Sequence, residues 1–276
     1  KKLFFPICIA LFSTSLLSCD DDAPTPGDPV ACNDEILNPG LSNGLVAYYK
    51  FASGSLNDMS GNGHHASLVG SPTPTVNAAG NSNCAYYFPG TNYDYLNVPS
   101  HTDFDFDETT PMTIALWYKP EYVPGSDGDY RVLVARDPGV GLRCPDTYGE
   151  YSLGTHDCMQ PVFGLGTSRV WDQFPMFAGC DSAMQTWANA GWHNIIAIFD
   201  PAEPTMKWKI YVDGEENLAP ALSIGDCSIP YTLSHTGDLV IGKNFIGSID
   251  DIKIYNRAVT NAEITFLQTY VSPCCN

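Results

Sequence analysis

Short apolar runs separated by turn residues fill the chain from residue 44 onward. Alternation with a period of two residues is clearest in KWKIYV (207–212), whose tryptophan, isoleucine and valine share one face. Breakers such as Pro99, Pro120 and Asp213-Gly214 separate the runs. No stretch before residue 260 shows a helical period, whereas Thr260 and Glu263 suit the start of one short helix. Many short strands of this spacing predict an all-β fold, a two-sheet antiparallel β-sandwich.

The same pattern divides the chain into three segments. Residues 1–18 hold two lysines followed by an almost uncharged apolar run, which is typical of an export signal peptide. This run is shorter than the roughly 20 residues that a membrane-spanning helix needs. Residues 19–43 are rich in Asp, Pro, Gly and Asn and predict a linker without a core. Residues 44–276 are enough for one sandwich domain.

The boundary between signal and linker carries a lipidation motif. Leu16-Leu17-Ser18-Cys19 resembles the bacterial lipobox, in which the cysteine receives a diacylglycerol, so Cys19 is the expected lipidation site and membrane anchor. An ordinary secretory signal is the alternative. The acidic triplet at 20–22 resembles the sorting signal that places lipoproteins of the Bacteroidetes on the outer face of the outer membrane. We therefore expect an outer membrane lipoprotein exposed on the cell surface.

Charge limits the partners of the chain. The full sequence has 13 basic and 31 acidic residues, a net charge of −18. Removal of residues 1–18 takes away two lysines and leaves a net charge of about −20. Such acidity argues against nucleic acid and anionic lipid as partners and favours the capture of cations.

Eight cysteines follow Cys19, and an even count in an exported chain predicts disulfides. The expected local bridges are Cys144 with Cys158, which bracket a short loop, and Cys180 with Cys227, which flank two strands. Four cysteines remain, and their pairing stays open: Cys32, Cys84, Cys274 and Cys275. Because the two ends of such a sandwich tend to lie side by side, Cys32 is expected to bond one of the last two cysteines.

A set of motifs occurs in order along nearly the whole domain: LVAYYKF (45–51), LNDMSGNGHHASLVG (56–70), CAYYFPGTNYDYLNVP (84–99), MTIALWYKP (112–120), GWHNIIAIFD (191–200), KIYVDG (209–214) and IGSIDDIKIYNRAVTNAEI (246–264). In order and spacing they resemble the laminin-G-like, concanavalin A-like jelly-roll family of bacterial surface proteins. The resemblance implies a concanavalin A-like jelly roll. It leaves function open, because this fold carries lectins, adhesion modules and glycoside hydrolases.

Signatures of catalysis are missing from the sequence. Retaining glycosidases need two carboxyl groups about 5 Å apart, and the related laminarinase-type enzymes place theirs in Glu-x-Asp-x-x-Glu, which does not occur here. The acidic alternation at 103–108 would share one face if extended, but we interpret it as a solvated loop. No catalytic residue is therefore predicted.

The Asp- and Asn-rich turn at 56–64 is the candidate cation site. Ca²⁺ takes about six to eight oxygen ligands, which such a turn supplies. The resemblance implies that Asp58 and the loop around Asn62 lie near the late strand that bears Asp250 and Asp251. Since neighbouring strand residues face opposite sides, one of the two reaches the ion, and Asp251 is favoured. A structural calcium ion at Asp58, Asn62 and Asp251 is expected; an Asx-capped turn without metal remains the alternative.

Sugar rings stack on aromatic side chains, and the chain holds 15 Tyr and 5 Trp. Trp171 and Trp187 lie in turn-rich sequence, and with Tyr130, Tyr148 and Tyr151 they form the predicted ligand-binding platform. For any single ring, covering the core is the stronger interpretation, so the prediction concerns the group.

Anchor, linker and missing carboxylate pair together favour a surface-anchored, non-catalytic carbohydrate-binding or adhesion module. Its expected partner is a polysaccharide or cell-surface glycan. The alternatives are a glycoside hydrolase or lyase with an unrecognised site and a protein-binding accessory subunit of an outer-membrane complex. The sequence does not name the glycan.

Overall fold

The computed structural model describes residues 36, 40–121, 129–137, 142–143, 147–156, 158–165, 168–171, 180, 182–204, 207–216 and 233–274. Residues 142–143, 147–148 and 168–171 are described by their strand positions alone. The chain divides into two units, 1–31 and 32–276, and every described residue belongs to the second. The predicted signal peptide, Cys19 and most of the predicted linker lie outside the described residues.

The described residues form an almost purely β structure. The strands are β1 (Leu45–Tyr49), β2 (Ser67–Val69), β3 (Thr73–Thr75), β4 (Ala85–Pro89), β5 (Tyr95–Val98), β6 (Met112–Pro120), β7 (Arg131–Asp137), β8 (Leu142–Arg143), β9 (Thr147–Tyr148), β10 (Tyr151–His156), β11 (Gln160–Leu165), β12 (Ser168–Trp171), β13 (His193–Phe199), β14 (Trp208–Val212), β15 (Glu215–Glu216), β16 (Asp238–Ile241) and β17 (Ile246–Tyr255). The helices are α1 (Ser182–Ala188) and α2 (Asn261–Leu267).

Two antiparallel sheets make the sandwich. Sheet A has the order β15-β14-β13-β6-β17-β4-β3, and β1 also pairs with β17. Sheet B has the order β12-β11-β10-β7-β16-β5-β2, while β8 and β9 form a separate pair. The predicted fold class, a two-sheet antiparallel β-sandwich consistent with a concanavalin A-like jelly roll, is confirmed.

Alternating side chains of both sheets fill the core between them. In β17, Ile249, Ile252 and Ile254 belong to this core, and in β5 Leu96 and Val98 do. All five are fully buried. Because the period of a strand is two residues, the residues between them face away from the core. The outer face of sheet B therefore carries the intervening side chains of its strands.

A bulge interrupts β17 at two acidic residues. The register of β17 against β6 shifts between Asp250 and Lys253, and Asp251 adopts a positive φ of 59°. Lys253 Nζ lies 2.7 Å from Asp251, and the backbone N–H of Ser272 donates to the same carboxylate. Burial, and then the charge of Asp251, raise the pKa of Asp250 well above its usual range.

The predicted helix near the end of the chain is α2, and its capping confirms the sequence signals. Thr260 accepts a hydrogen bond from the Glu263 backbone, and Glu263 accepts one from the Thr260 backbone. Helix α1 was not predicted, because its seven residues place only Met184 and Ala188 on a buried face. No helix in the described ranges is long and apolar enough to cross a membrane.

Two disulfides fall within the described residues. Cys84 bonds Cys274, with Cα atoms 5.8 Å apart, which is one of the pairings that the sequence left open. Cys158 bonds Cys180 at 5.3 Å. The predicted bridges from Cys144 to Cys158 and from Cys180 to Cys227 are therefore wrong. Cys158 lies in the turn between β10 and β11, and the bond joins this turn to Cys180, two residues before α1.

The remaining cysteines of the prediction lie outside the described residues. They are Cys32, Cys144, Cys227 and Cys275.

Candidate functional site

An open groove of about 390 Å³ lies on the outer face of sheet B. We call it the outer groove, and its lining residues are Tyr95, Asn97, Asp137, Gly237, Asp238, Val240 and Lys243. A second cavity, between β13, β14 and α2, encloses only about 100 Å³. The outer groove is the larger of the two and combines an aromatic ring with amide, carboxylate and ammonium groups.

Strand register brings the groove residues together from distant parts of the sequence. Tyr95 and Asn97 alternate with the core residues of β5, and Val240 pairs directly with Asn97. Asp238, two residues before Val240, pairs with Asp137 of β7. Since β5, β16 and β7 are neighbours in sheet B, their outward side chains form one continuous surface.

Hydrogen bonds and an ion pair fix the polar groups of the groove. Lys243 Nζ lies 2.7 Å from Asp137 Oδ2 and 5.4 Å from the centroid of the Tyr95 ring. Asn97 Nδ2 donates to Asp238 Oδ2 at 2.9 Å. Two carboxylates thus face one ammonium group, which leaves the groove with a negative balance.

The turn after β16 holds the lysine of the groove in place. Gly242 has a φ of +77°, and a Cβ atom on it would overlap the Phe88 ring. Its backbone N–H donates to Leu133 O at 3.2 Å. Glycine at this position therefore permits both the positive φ and the close approach to the core. Lys243 follows directly and reaches back over the groove.

Two of the five rings of the predicted aromatic platform, Tyr130 and Tyr151, are buried. Tyr151 is fully buried in the core between the sheets, and burial raises the pKa of its hydroxyl. Tyr130 is 5% exposed and lies on the outer face of sheet B, in an apolar cluster with Val240 of the outer groove. Its hydroxyl hydrogen-bonds Ser152. Both positions are corrections, because each ring packs into an apolar cluster rather than lying open to solvent.

Of the other three platform residues, the structure describes the side chain of Trp187. Trp187, in α1, is partly buried against the core, stacks on His193 at 4.0 Å and donates to Asp213. Tyr148 and Trp171 are described only by their places in β9 and β12. Tyr95 of the outer groove was missed by the sequence prediction. Its alternation with Leu96 in YLNV was the available signal.

Hydrogen-bond donors already surround the predicted calcium ligands. The Asp58 carboxylate accepts from the backbones of Tyr48, Ser60 and His64 and from the Ser60 hydroxyl, at 2.8–3.0 Å. Asn62 turns its amide nitrogen toward the carbonyl oxygens of residues 45 and 46.

Asp251, the third predicted ligand, is held by Lys253 and Ser272. Hydrogen-bond donors thus already engage the Asp58 and Asp251 carboxylates, and these contacts give no support to calcium at the three residues. The alternative, an Asx-type turn, accounts for Asp58. No observation tests calcium binding itself, and the contacts favour this alternative.

The acidic stretch at 103–108 is not extended. A 3₁₀ turn spans Thr102–Phe104, and the three aspartates have separate partners. Asp105 lies 2.6 Å from Arg136, whereas hydrogen bonds from Thr109 lower the pKa of Asp107. The stretch is fixed by the buried Arg136 and Phe104, and its acidic side chains do not share one face.

A known protein family matches most of the chain. Residues 89–265 match the family model of Laminin_G_3, the concanavalin A-like lectin/glucanases superfamily. A comparison with curated proteins finds no matching sequence.

Solved structures resemble the chain at low sequence identity. The binding domain of Paraclostridial Mosquitocidal Protein 1 has a TM-score of 0.59 at 14% identity, covering 82% of this chain and 52% of that one. Domain 4 of AbnA, an extracellular arabinanase from Geobacillus stearothermophilus solved with arabinotriose, has a TM-score of 0.51 at 16% identity, covering 82% and 98%. A structure of botulinum neurotoxin type C, whose cell entry depends on two ganglioside molecules, has a TM-score of 0.58 at 12% identity, covering 82% and 51%. The chain thus spans about half the length of the two toxin structures. At these identities the likeness is one of fold.

Proposed function

The chain belongs to the concanavalin A-like lectin/glucanase superfamily, and from this premise we propose that it is a non-catalytic carbohydrate-binding module that binds glycan in the outer groove. The observation that carries the proposal is the combination of the half-buried Tyr95 ring with the Asn97 amide and the Asp238 carboxylate on one open surface. An aromatic face with a few fixed polar groups suits a sugar, whose rings are apolar on their faces and whose hydroxyls donate and accept hydrogen bonds.

The relatives support a binding role. One fold neighbour that this chain matches along 98% of its length was solved with arabinotriose, and another belongs to a toxin that interacts with gangliosides.

Electrostatics selects the class of glycan. The groove has two carboxylates and one lysine, and that lysine is paired with Asp137. The whole chain carries a net charge of −18. A polyanionic glycan would be repelled from such a surface, so the proposed ligand is a neutral polysaccharide.

The test is binding to a panel of neutral and acidic polysaccharides, measured by affinity electrophoresis and then by calorimetry with oligosaccharides. We expect retention on a neutral glycan and a loss of affinity of about tenfold or more in Tyr95→Ala, equivalent to about 1.4 kcal/mol. Tyr93→Ala is the matched control, because Tyr93 is 81% exposed and does not line the groove. Equal binding by the two variants would place the glycan elsewhere.

The same panel separates the alternatives. Release of reducing ends would make the chain a glycoside hydrolase, and unsaturated products would make it a lyase. Absence of retention on every glycan would favour the protein-binding accessory subunit of an outer-membrane complex.

We also propose that Cys19 carries a lipid that anchors the module to the outer membrane. The support is the order of signal, lipobox-like sequence, cysteine and linker. Cys19→Ala should abolish metabolic labelling with fatty acid and release the protein from membranes. Replacement of the acidic triplet at 20–22 by alanine should reduce protease accessibility on intact cells. Labelling that persists in Cys19→Ala would refute the anchor, and unchanged accessibility would refute the sorting role alone.

A further inference from the structure

Two histidines and an aspartate converge just after the end of β5. His64 lies in the connection between β1 and β2, and His101 and Asp103 flank the start of the 3₁₀ turn that follows β5. His64 Nε2 lies 2.9 Å and His101 Nδ1 lies 3.3 Å from the same oxygen, Asp103 Oδ2. All three ligand atoms lie within 4.8 Å of one another. We call this the His–Asp cluster.

One close contact of the cluster joins two hydrogen-bond acceptors, His101 Nδ1 and Asp103 Oδ2. The backbone N–H of Asp103 donates to His101 Nδ1, so this nitrogen presents a lone pair rather than a proton. The carboxylate oxygen 3.3 Å away is also an acceptor. Two acceptors at this distance repel each other unless a cation lies between them. An imidazole nitrogen has a single lone pair, so an ion bound at His101 Nδ1 would replace the 3.2 Å hydrogen bond from the Asp103 N–H.

We propose that the His–Asp cluster binds a divalent transition metal ion of the Zn²⁺ type. Imidazole nitrogen and carboxylate oxygen are ligands that Zn²⁺ accepts, at about 2.0–2.2 Å, so a tetrahedral ion holds its ligand atoms about 3.3 Å apart. The observed separations of 2.9 and 3.3 Å lie close to this value. Three protein ligands leave a fourth position for water. The donor set excludes Ca²⁺ as the preferred ion, because Ca²⁺ takes oxygen ligands.

Burial divides the cluster into one fixed ligand and two accessible ones. The His64 side chain is 6% exposed, and its ring centroid lies 4.7 Å from that of Phe104. The backbone N–H of His64 donates a hydrogen bond to Asp58. The side chains of His101 and Asp103 are 52% and 45% exposed. An ion can therefore reach the site from solvent and find one imidazole already oriented. The acidity of the chain raises the local concentration of cations.

A bound ion would link two connections that belong to different parts of the sandwich. It would join the turn after β1 to the segment after β5, and the backbone of Ser100 in that segment donates to Asp238 of the outer groove. The metal would thus stiffen one rim of the groove. The site itself rests on the cluster's geometry and not on the proposed glycan.

The test uses the full chain with free thiols alkylated and metals removed by chelation. Calorimetric titration with Zn²⁺ should show one saturable equivalent, and Zn²⁺ should raise the melting temperature by mass action. His101→Ala and Asp103→Asn should each weaken binding by at least about tenfold. Both residues are exposed, so neither change removes core packing. His235→Ala is the control, because His235 is exposed and lies outside the cluster.

Substitution with Co²⁺ reports the coordination geometry of the bound ion. In place of Zn²⁺ it should give the intense visible absorption of a tetrahedral site, and His101→Ala should lose it while His235→Ala keeps it. Absence of a saturable equivalent, or equal Zn²⁺ affinity in His101→Ala, Asp103→Asn and the unchanged protein, would overturn the proposal.

Discussion

Gly242 is the point where packing and backbone conformation can be separated experimentally. In Gly242→Ala, the new methyl group would overlap the Phe88 ring, which is fully buried, and the residue would keep a positive φ of 77°. A left-handed conformation costs an L-residue about 1–2 kcal/mol. Overpacking a filled core costs about 1–3 kcal/mol more. The expected loss in the free energy of unfolding is therefore about 2–5 kcal/mol.

Gly61→Ala isolates the conformational part. Gly61 has a φ of +93°, and no atom lies within 4 Å of the position that its new methyl group would take. Its substitution should cost only about 1–2 kcal/mol. Urea unfolding under non-reducing conditions, followed by fluorescence and circular dichroism, measures both variants, with the slope m checked for a change in the unfolded state. A domain of this size should lose roughly 2–4 °C in melting temperature for each kcal/mol.

A double-mutant cycle completes the experiment. If the overlap with Phe88 is the cause, Gly242→Ala should cost less in a Phe88→Ala background than in the unchanged protein. Equal losses in Gly242→Ala and Gly61→Ala, or an additive cycle, would refute the packing explanation.

Three further predictions concern an ion pair, a disulfide and calcium. Hydrogen bonds from Arg257 lower the pKa of Glu263 to about 2, so this carboxylate stabilises the fold above about pH 4.5 and loses its effect as pH falls through about 2. Glu263→Gln should cost about 1–2 kcal/mol at pH 7, and the difference should shrink between pH 4.5 and 2 in acid-unfolding curves; a constant difference would contradict this. Cys84 and Cys274 are 190 residues apart, so removing their disulfide should cost about 5 kcal/mol by the loop-entropy model. Removing the disulfide of Cys158 and Cys180, which are 22 residues apart, should cost about 3.4 kcal/mol. Denaturant unfolding that reverses this order would refute the prediction. Because donors already satisfy Asp58, Ca²⁺ added to metal-free protein should leave the melting temperature unchanged; a rise that Asp58→Ala abolishes would restore the calcium site.

Strand existence was predictable because it depends on local alternation. The YLNV segment shows the period of two, the DLVI segment is a short apolar run, and both are strands of sheet B. The outer groove was not predictable in the same way. Its residues come from positions near 95, 137 and 240, and only the register of three strands brings these positions together.

The burial of aromatic rings was predictable from the sequence for some residues and not for others. Tyr151 and Leu153 are two residues apart in β10 and therefore share one face, and the apolar side chains favour the core for both. Tyr130 precedes β7, so no alternation fixed its direction. The bridge from Cys158 to Cys180 depends on which loops are neighbours, and this follows from tertiary contacts rather than from spacing.

The place of β17 in sheet A affects how the domain can be made. This strand, the last in the described chain, pairs with β1, β4 and β6, and β16 likewise lies between β5 and β7 of sheet B. A chain growing from its N-terminus therefore exposes the edges of these earlier strands until residue 255 has been synthesised. Unpaired edges of this kind are open to pairing with other chains. Truncation before residue 246 should leave an aggregation-prone polypeptide rather than a smaller domain, and the intact chain depends on protection from association until its final strands arrive.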